Sequence, residues 1–285
     1  MKFTVLGAAG QLGRDLCPLL PGEVVPLTRQ HIDLASPATI RPTLEAHSPD
    51  VVVNCAAYNF VDRAESEPEA AFAVNALGVR ELARVCRDLD ALLVHFSSDH
   101  VFGLDRERQT PLAESDLPGP VNVYGASKLA GEYLIRLTGP RHLIVRTCGL
   151  YGRHGSGGKG GNFVETMLKL GSQGKLRGVV ADQVCTPTAT TDLAQATVRL
   201  LEREATGLFH ITNAGACSWW EFACAIFELS GLDVEVKRLT SAEFGAAAAR
   251  PSYSVLALAR WQALGLPALR PWREALADYL QGRRK

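Results

Sequence analysis

The sequence lacks a net charge, a long apolar run and a cysteine motif, and each absence closes off a class of function. Thirty basic residues balance thirty acidic ones, so no overall field recruits nucleic acid or an anionic membrane as partner. No apolar run reaches the roughly 20 residues that a membrane-spanning helix needs. The cysteines (Cys17, Cys55, Cys86, Cys148, Cys185, Cys217 and Cys224) are odd in number and scattered, with no CxxC. Reduced thiols fit that pattern better than a disulfide framework or a zinc site. No stretch is rich enough in Pro, Gly or Ser to separate independent domains. The opening MKFTVLGAAG carries one lysine and an apolar run broken by glycine, which reads as a first strand rather than a signal peptide. A cytoplasmic enzyme is the expectation.

What is present begins with that strand. Residues 2–6 run straight into Gly7-Ala-Ala-Gly10-Gln-Leu-Gly13, and residues 14–20 continue as a helix. Strand, glycine-rich turn and helix together form the context of a dinucleotide fingerprint. Gly7 and Gly10 allow a tight turn and close backbone approach to a pyrophosphate; Gly13 lets the helix pack on the strand. Residues 23–27 form a second strand ending at Thr28-Arg29. In such folds this end meets the adenosine ribose, where an acid would repel a 2′-phosphate. Thr28 and Arg29 offer no acid, which tilts the cofactor toward NADPH, with NADH as the alternative.

Further along, residues 36–47 read as a helix and 50–54 as a third strand, followed by Cys55-Ala56-Ala57-Tyr58. Small residues just past a parallel strand leave room for a cofactor. Residues 62–68 read as a polar connection and 70–89 as a helix carrying Asn75. Residues 91–97 form a fourth strand ending in Ser97-Ser98-Asp99-His100, where active sites of doubly wound sheets lie. A fifth strand spans 141–147. The alternation calls for an α/β fold, a Rossmann-type doubly wound parallel sheet with right-handed crossovers. Residues 1–150 are expected to form an NAD(P)-binding domain to which later segments return. Residues 151–285 should form mainly a small substrate-binding lobe; the glycine-rich loop 154–161 is long enough to close on a ligand, or else is a flexible connector.

Tyr124-Gly-Ala-Ser-Lys128 lies in a helix predicted over 122–138. Four residues apart, phenol and ammonium share one helix face. A free tyrosine, with a pKa of about 10, is a poor acid near neutrality; a lysine nearby favours the phenolate. Gly125, Ala126, Ala130 and Gly131 are small, as though something bulky lies against that side.

GAAGQLG, FSSDHVFG and YGASKLAGE, in that order, resemble the extended branch of the short-chain dehydrogenase/reductase family. VVVNCAAYNFVDRAESEPEAAFAVNALG, RTCGLYG, GNFVETML and DQVCTPT carry the resemblance to about residue 254, nearest to the family's reductases of dTDP-4-keto sugars. The resemblance implies NADPH-dependent reduction of the 4-keto group of dTDP-4-dehydro-L-rhamnose to dTDP-L-rhamnose. It places Ser98 where the family has an active-site threonine, makes Tyr124 the acid and Lys128 its partner, and puts Gly10, Gln11, Leu12, Asp33, Leu34, Ala56, Ala57 and Tyr58 on the cofactor. Ser98, Asp99, His100, Gly149 and Asn162 are the expected substrate contacts. Two of these depart from the family, which commonly has tyrosine at His100 and tryptophan at Gly149. Some members form metal-linked homodimers through acidic residues; only Asp15 matches one of them, so a dimer is left open and no metal is expected. Two relatives share the Tyr/Lys pair. A 4,6-dehydratase carries a glutamate where His100 stands, and a 4-epimerase usually has a longer C-terminal lobe. A third alternative is a non-catalytic NADP-binding subunit like the methionine adenosyltransferase β subunit, against which the intact Ser98/Tyr124/Lys128 set speaks.

Overall fold

In the computed structural model, which describes residues 1–154 and 161–283, five strands follow the predicted order: β1 (Lys2–Leu6), β2 (Glu23–Leu27), β3 (Val51–Asn54), β4 (Leu92–Ser98) and β5 (His142–Thr147). A sixth strand, Gly207–His210, joins their sheet beside β5. All six run parallel, and β2 and β3 flank β1 on opposite sides. The winding direction therefore reverses between β1 and β3, and a crevice opens at their carboxyl ends.

The strands are nearly continuous apolar runs because both faces are covered. Alternate residues go to opposite layers. Phe3, Val5, Val51, Val53, Val94 and Phe96 pack with Leu193 and Leu200 of the Thr190–Glu202 helix. Val52, Leu93 and Ile144 pack on the other face with Leu44, Leu82, Val85 and Ile135. A separate cluster, including Tyr151, Val164, Met167, Phe222, Ile226, Leu276 and Tyr279, forms the core of the C-terminal part. Three two-stranded pairs dress this part, such as Val184–Cys185 against Cys217–Ser218.

Several boundaries differ from expectation. The first helix is short, Gln11–Leu16, and continues as a 3₁₀ turn at Cys17–Leu19, because Pro18 supplies no amide hydrogen. The supposed polar connection 62–68 contains a helical turn, Val61–Ala64, and Pro68 opens the next helix at its first position. That helix passes through a π-helical segment, Ala73–Gly78, before resuming at Val79–Asp88. The glycine-rich loop 154–161 lies almost wholly outside the described residues. Among the described residues no helix is long and apolar enough to cross a membrane.

Candidate active site

The first glycine turn is built by backbone contact. Gly7 has φ +71°, and a Cβ there would stand 2.9 Å from the Ala56 nitrogen; at Gly13 a Cβ would stand 2.5 Å from the Gly7 carbonyl oxygen. Only glycine fits either place. The Gly7 turn therefore packs main chain on main chain against Ala56, beside the crevice at the ends of β1 and β3. Gly10 and Gln11 sit at its partly open mouth, and Ala57 is exposed. Leu12 and Leu34 are buried in the two core layers. Their side chains do not face the crevice, and only their backbone is left for a nucleotide. The Leu34 carbonyl packs so closely on Gly78 that a Cβ at Gly78 would be 2.2 Å away.

At the end of β2, Thr28 is tied to His31 through its amide, 3.1 Å from Nδ1. Arg29 is 80% exposed and pairs with Asp33 at 3.1 Å. An acid does reach this corner, from four residues on, although none stands at the strand end itself. Asp33 Oδ1 accepts the Ala35 amide at 2.9 Å, leaving the carboxylate divided between a turn and Arg29.

The Val123–Thr138 helix starts at Asn122, whose Oδ1 accepts the Gly125 amide at 2.7 Å. Its small residues answer to the chain's own backbone: a Cβ on Gly125 would lie 2.1 Å from the His100 carbonyl oxygen, and one on Gly131 2.2 Å from that of Asn75. The helix thus lies directly on the end of β4 and on the π segment. Asn75, buried in that segment, accepts the Tyr58 amide at 2.9 Å and donates to the Tyr58 carbonyl at 2.8 Å and to Ser127 Oγ at 2.9 Å. Ser127 in turn donates to the Tyr124 carbonyl at 2.7 Å. Sequence reading passed over this clasp; an asparagine in a helix facing small residues was the available signal.

Tyr124 packs edge-on against His100, with ring centroids 5.5 Å apart. Burial pushes its phenol up to about 12; a hydrogen bond with Ser98 opposes that, and the Asp99 carboxylate adds to it. Lys128 is buried. Its ammonium donates to the Phe96 carbonyl at 2.7 Å and lies 3.4 Å from His95 Nε2. Burial pushes it down to about 8, against the pull of Glu132. Burial is the largest influence on the phenol, in the direction opposite to the lowering expected from Lys128, and the ammonium is turned to the Phe96 carbonyl of β4.

Ser98 gives its hydrogen to Asp99 Oδ1 at 3.0 Å and accepts the His100 amide at 3.2 Å. Asp99 is buried, and its Oδ2 accepts Cys148 Sγ at 3.0 Å and Ser254 Oγ at 2.7 Å. The carboxylate is aimed beneath the site at three protein donors, not outward at a substrate. His100, half-buried, holds Asn122 through Nδ1 at 3.0 Å. Gly149 has φ +54°, and a Cβ there would lie 3.2 Å from Pro187 Cα and 3.3 Å from Trp219 Cη2. Another residue's indole borders the place where the family carries tryptophan. Asn162 caps the Phe163–Ser172 helix and donates to the Gly152 carbonyl at 3.0 Å and to Gln11 Oε1 at 3.2 Å. Its amide is engaged in joining the C-terminal part to the glycine turn. Asp15 is likewise engaged, by the Thr190 hydroxyl.

Beneath the Val123–Thr138 helix lies a buried ion pair that sequence reading did not single out. Glu132 and Arg146 meet at 2.7 Å, and Glu132 also accepts the Ser97 hydroxyl. Replacing one partner would strand a buried charge, so the pair fixes the helix on β4 and β5.

The family model described as RmlD substrate binding domain matches residues 1–284. Spore coat polysaccharide biosynthesis protein SpsK of Bacillus subtilis (strain 168) is 42% identical, over 99% of this chain and 98% of its own. A dTDP-4-keto-6-deoxy-D-glucose reductase of Streptomyces niveus is 41% identical, over 97% and 96%. The solved dTDP-4-dehydrorhamnose reductase of Bacillus anthracis str. Ames, in complex with NADP, is 36% identical over 99% of both chains, with a TM-score of 0.92. With its glycine turn, its Tyr124/Lys128 pair and a match running almost end to end, the chain belongs to the RmlD substrate-binding-domain family.

Proposed function

We propose that the chain is an NADPH-dependent reductase that converts the 4-keto group of dTDP-4-dehydro-L-rhamnose to the 4-hydroxyl of dTDP-L-rhamnose. The observation that carries this reading is the half-buried Tyr124, hydrogen-bonded to Ser98 and one helical turn from the buried Lys128, at the carboxyl edge of the sheet. Relatives that share nearly the whole chain are named as reductases of dTDP-4-keto sugars, and one is crystallised with NADP.

The glycine turn after β1, beside Ala56, is where a dinucleotide pyrophosphate would lie, and Arg29, paired with Asp33, is the cation near the end of β2 available to a 2′-phosphate. When bound, the reduced nicotinamide supplies the hydride. The protein supplies a proton and a place for developing charge. Tyr124 gives its phenol proton to the carbonyl oxygen as that oxygen becomes an alkoxide. A phenol held near 12 by burial stays protonated at neutral pH and is ready to donate. Ser98, whose one hydrogen goes to Asp99 in this structure, donates to the substrate oxygen only when its hydroxyl turns from Asp99. Lys128, with its proton held loosely at about 8, restores the phenol.

The test is NADPH oxidation with dTDP-4-dehydro-L-rhamnose, set against dTDP-4-keto-6-deoxy-D-glucose and the UDP and GDP analogues. Turnover of the first substrate above the others is expected. NADPH binding without turnover of any keto-sugar would favour a regulatory subunit.

A further inference from the structure

His95 has no part in the reduction described above, yet it is fully buried in β4 between the cofactor groove and the catalytic helix. Its ring spans β3 and the helix: Nδ1 is 3.1 Å from Asn54 Nδ2, and Nε2 is 3.4 Å from Lys128 Nζ. The direction of this chain is set at its far end. The Ala56 amide can only donate, and it does so to Asn54 Oδ1 at 3.1 Å. The Asn54 amide nitrogen is therefore turned to His95, and Nδ1 must receive it with a lone pair. Burial, and then the charge of Lys128, hold His95 well below its ordinary range, so the ring is neutral. A neutral ring with a lone pair on Nδ1 carries its hydrogen on Nε2. That hydrogen points at Lys128.

The two contacts of the lysine differ accordingly. Its bond to the Phe96 carbonyl is short at 2.7 Å, whereas the approach to His95 is long at 3.4 Å. An N–H facing an ammonium gains nothing, because both are donors. Once Nζ has lost a proton, its lone pair can accept the same N–H.

We propose that His95 is a positioning residue of the reduction, its Nε2–H stabilising the Lys128 amine left when that lysine gives up a proton. The proposal rests on the reductase reading. As the hydride adds to the carbonyl carbon, the Tyr124 proton passes to the carbonyl oxygen. An ammonium proton of Lys128 then converts the phenolate back to phenol. The vacated lone pair on Nζ accepts His95 Nε2–H until a solvent proton recharges the amine. The charged and titratable groups around Lys128 are His95 from β4 and, from its own helix, Glu132 and Tyr124; Asn54, from β3, is neutral. Glu132 favours the ammonium and His95 favours the amine.

Two measurements test this on the full chain. The first is ¹⁵N NMR of the histidine rings in the cofactor-free protein. A neutral His95 with hydrogen on Nε2 is expected between pH 6 and 9, and hydrogen on Nδ1 or a cationic ring would overturn the proposal. The second compares the wild type with His95→Gln, whose amide oxygen would face Lys128 as an acceptor instead of a donor. In ¹³C-labelled-lysine titrations the Lys128 transition should move up by about one pH unit. The alkaline limb of kcat should follow it, while KM for the keto-sugar holds. A Lys128 transition unmoved or lowered in folded His95→Gln would contradict the proposal. A wild type that turns over no keto-sugar would overturn the reductase reading instead, whatever the ring tautomer.

Discussion

Asn75 grips both backbone polar groups of Tyr58, its Oδ1 2.9 Å from the amide nitrogen and its Nδ2 2.8 Å from the carbonyl oxygen. Through Ser127 the same side chain reaches the backbone of Tyr124. One residue thus ties the segment proposed to meet the cofactor to the helix proposed to do the chemistry. The π-helical segment around Asn75 is what turns it inward, and such segments recur at functional sites.

Asn75→Ala would leave the Tyr58 amide without its buried partner. A stability loss of about 2–3 kcal/mol is expected, with KM for NADPH raised more than KM for the sugar. Denaturant unfolding and steady-state kinetics check the two parts separately.

Asp99 gathers hydrogens from Ser98, Cys148 and Ser254. An asparagine in its place carries only one acceptor oxygen, so at least one of these donors loses its partner. Asp99→Asn should lower kcat by about 10²-fold through misplacement of Ser98. NADPH affinity should stay nearly unchanged, as a fluorescence titration would show.

The fold was legible because strand composition and spacing are local signals. Apolar runs such as Val51–Asn54 and the glycine turn after β1 were visible without any tertiary information. Tyr124, Lys128 and Ser98, the residues proposed to do the chemistry, stand out in the sequence by their spacing and strand-end positions. Other features depend on what arrives from elsewhere in the chain. Asp99 was read as a substrate contact, but Ser254, 155 residues later, helps turn it inward. Gly149 was read as a substrate contact, but neither the positive φ that holds it nor the Trp219 indole that borders it is a local signal. The smallness of Gly125 and Gly131 was visible, but not that backbone carbonyls were what they accommodate. Lys128 was expected to favour the phenolate by its charge, and no local pattern shows that its resting contacts are the Phe96 carbonyl and His95.

His210 is buried at the end of the sixth strand. Burial, and then the Arg146 charge, push it down to about 3 from its ordinary 6.5. Between those two values the unfolded chain binds the proton and the folded chain does not. Stability is therefore full above about 6.5 and falls as pH drops toward 3. Thermal melts from pH 7 to pH 4 should show this loss, and His210→Gln should flatten the slope over that range.

The most direct test of the central claim is turnover by Tyr124→Phe, measured beside its NADPH binding. The substitution keeps the ring against His100 and removes only the hydroxyl. The account predicts that NADPH affinity is retained while kcat falls by the roughly 10²–10⁴-fold typical of losing a general acid. A folded Tyr124→Phe that binds NADPH and reduces the keto-sugar at a near wild-type rate would contradict it.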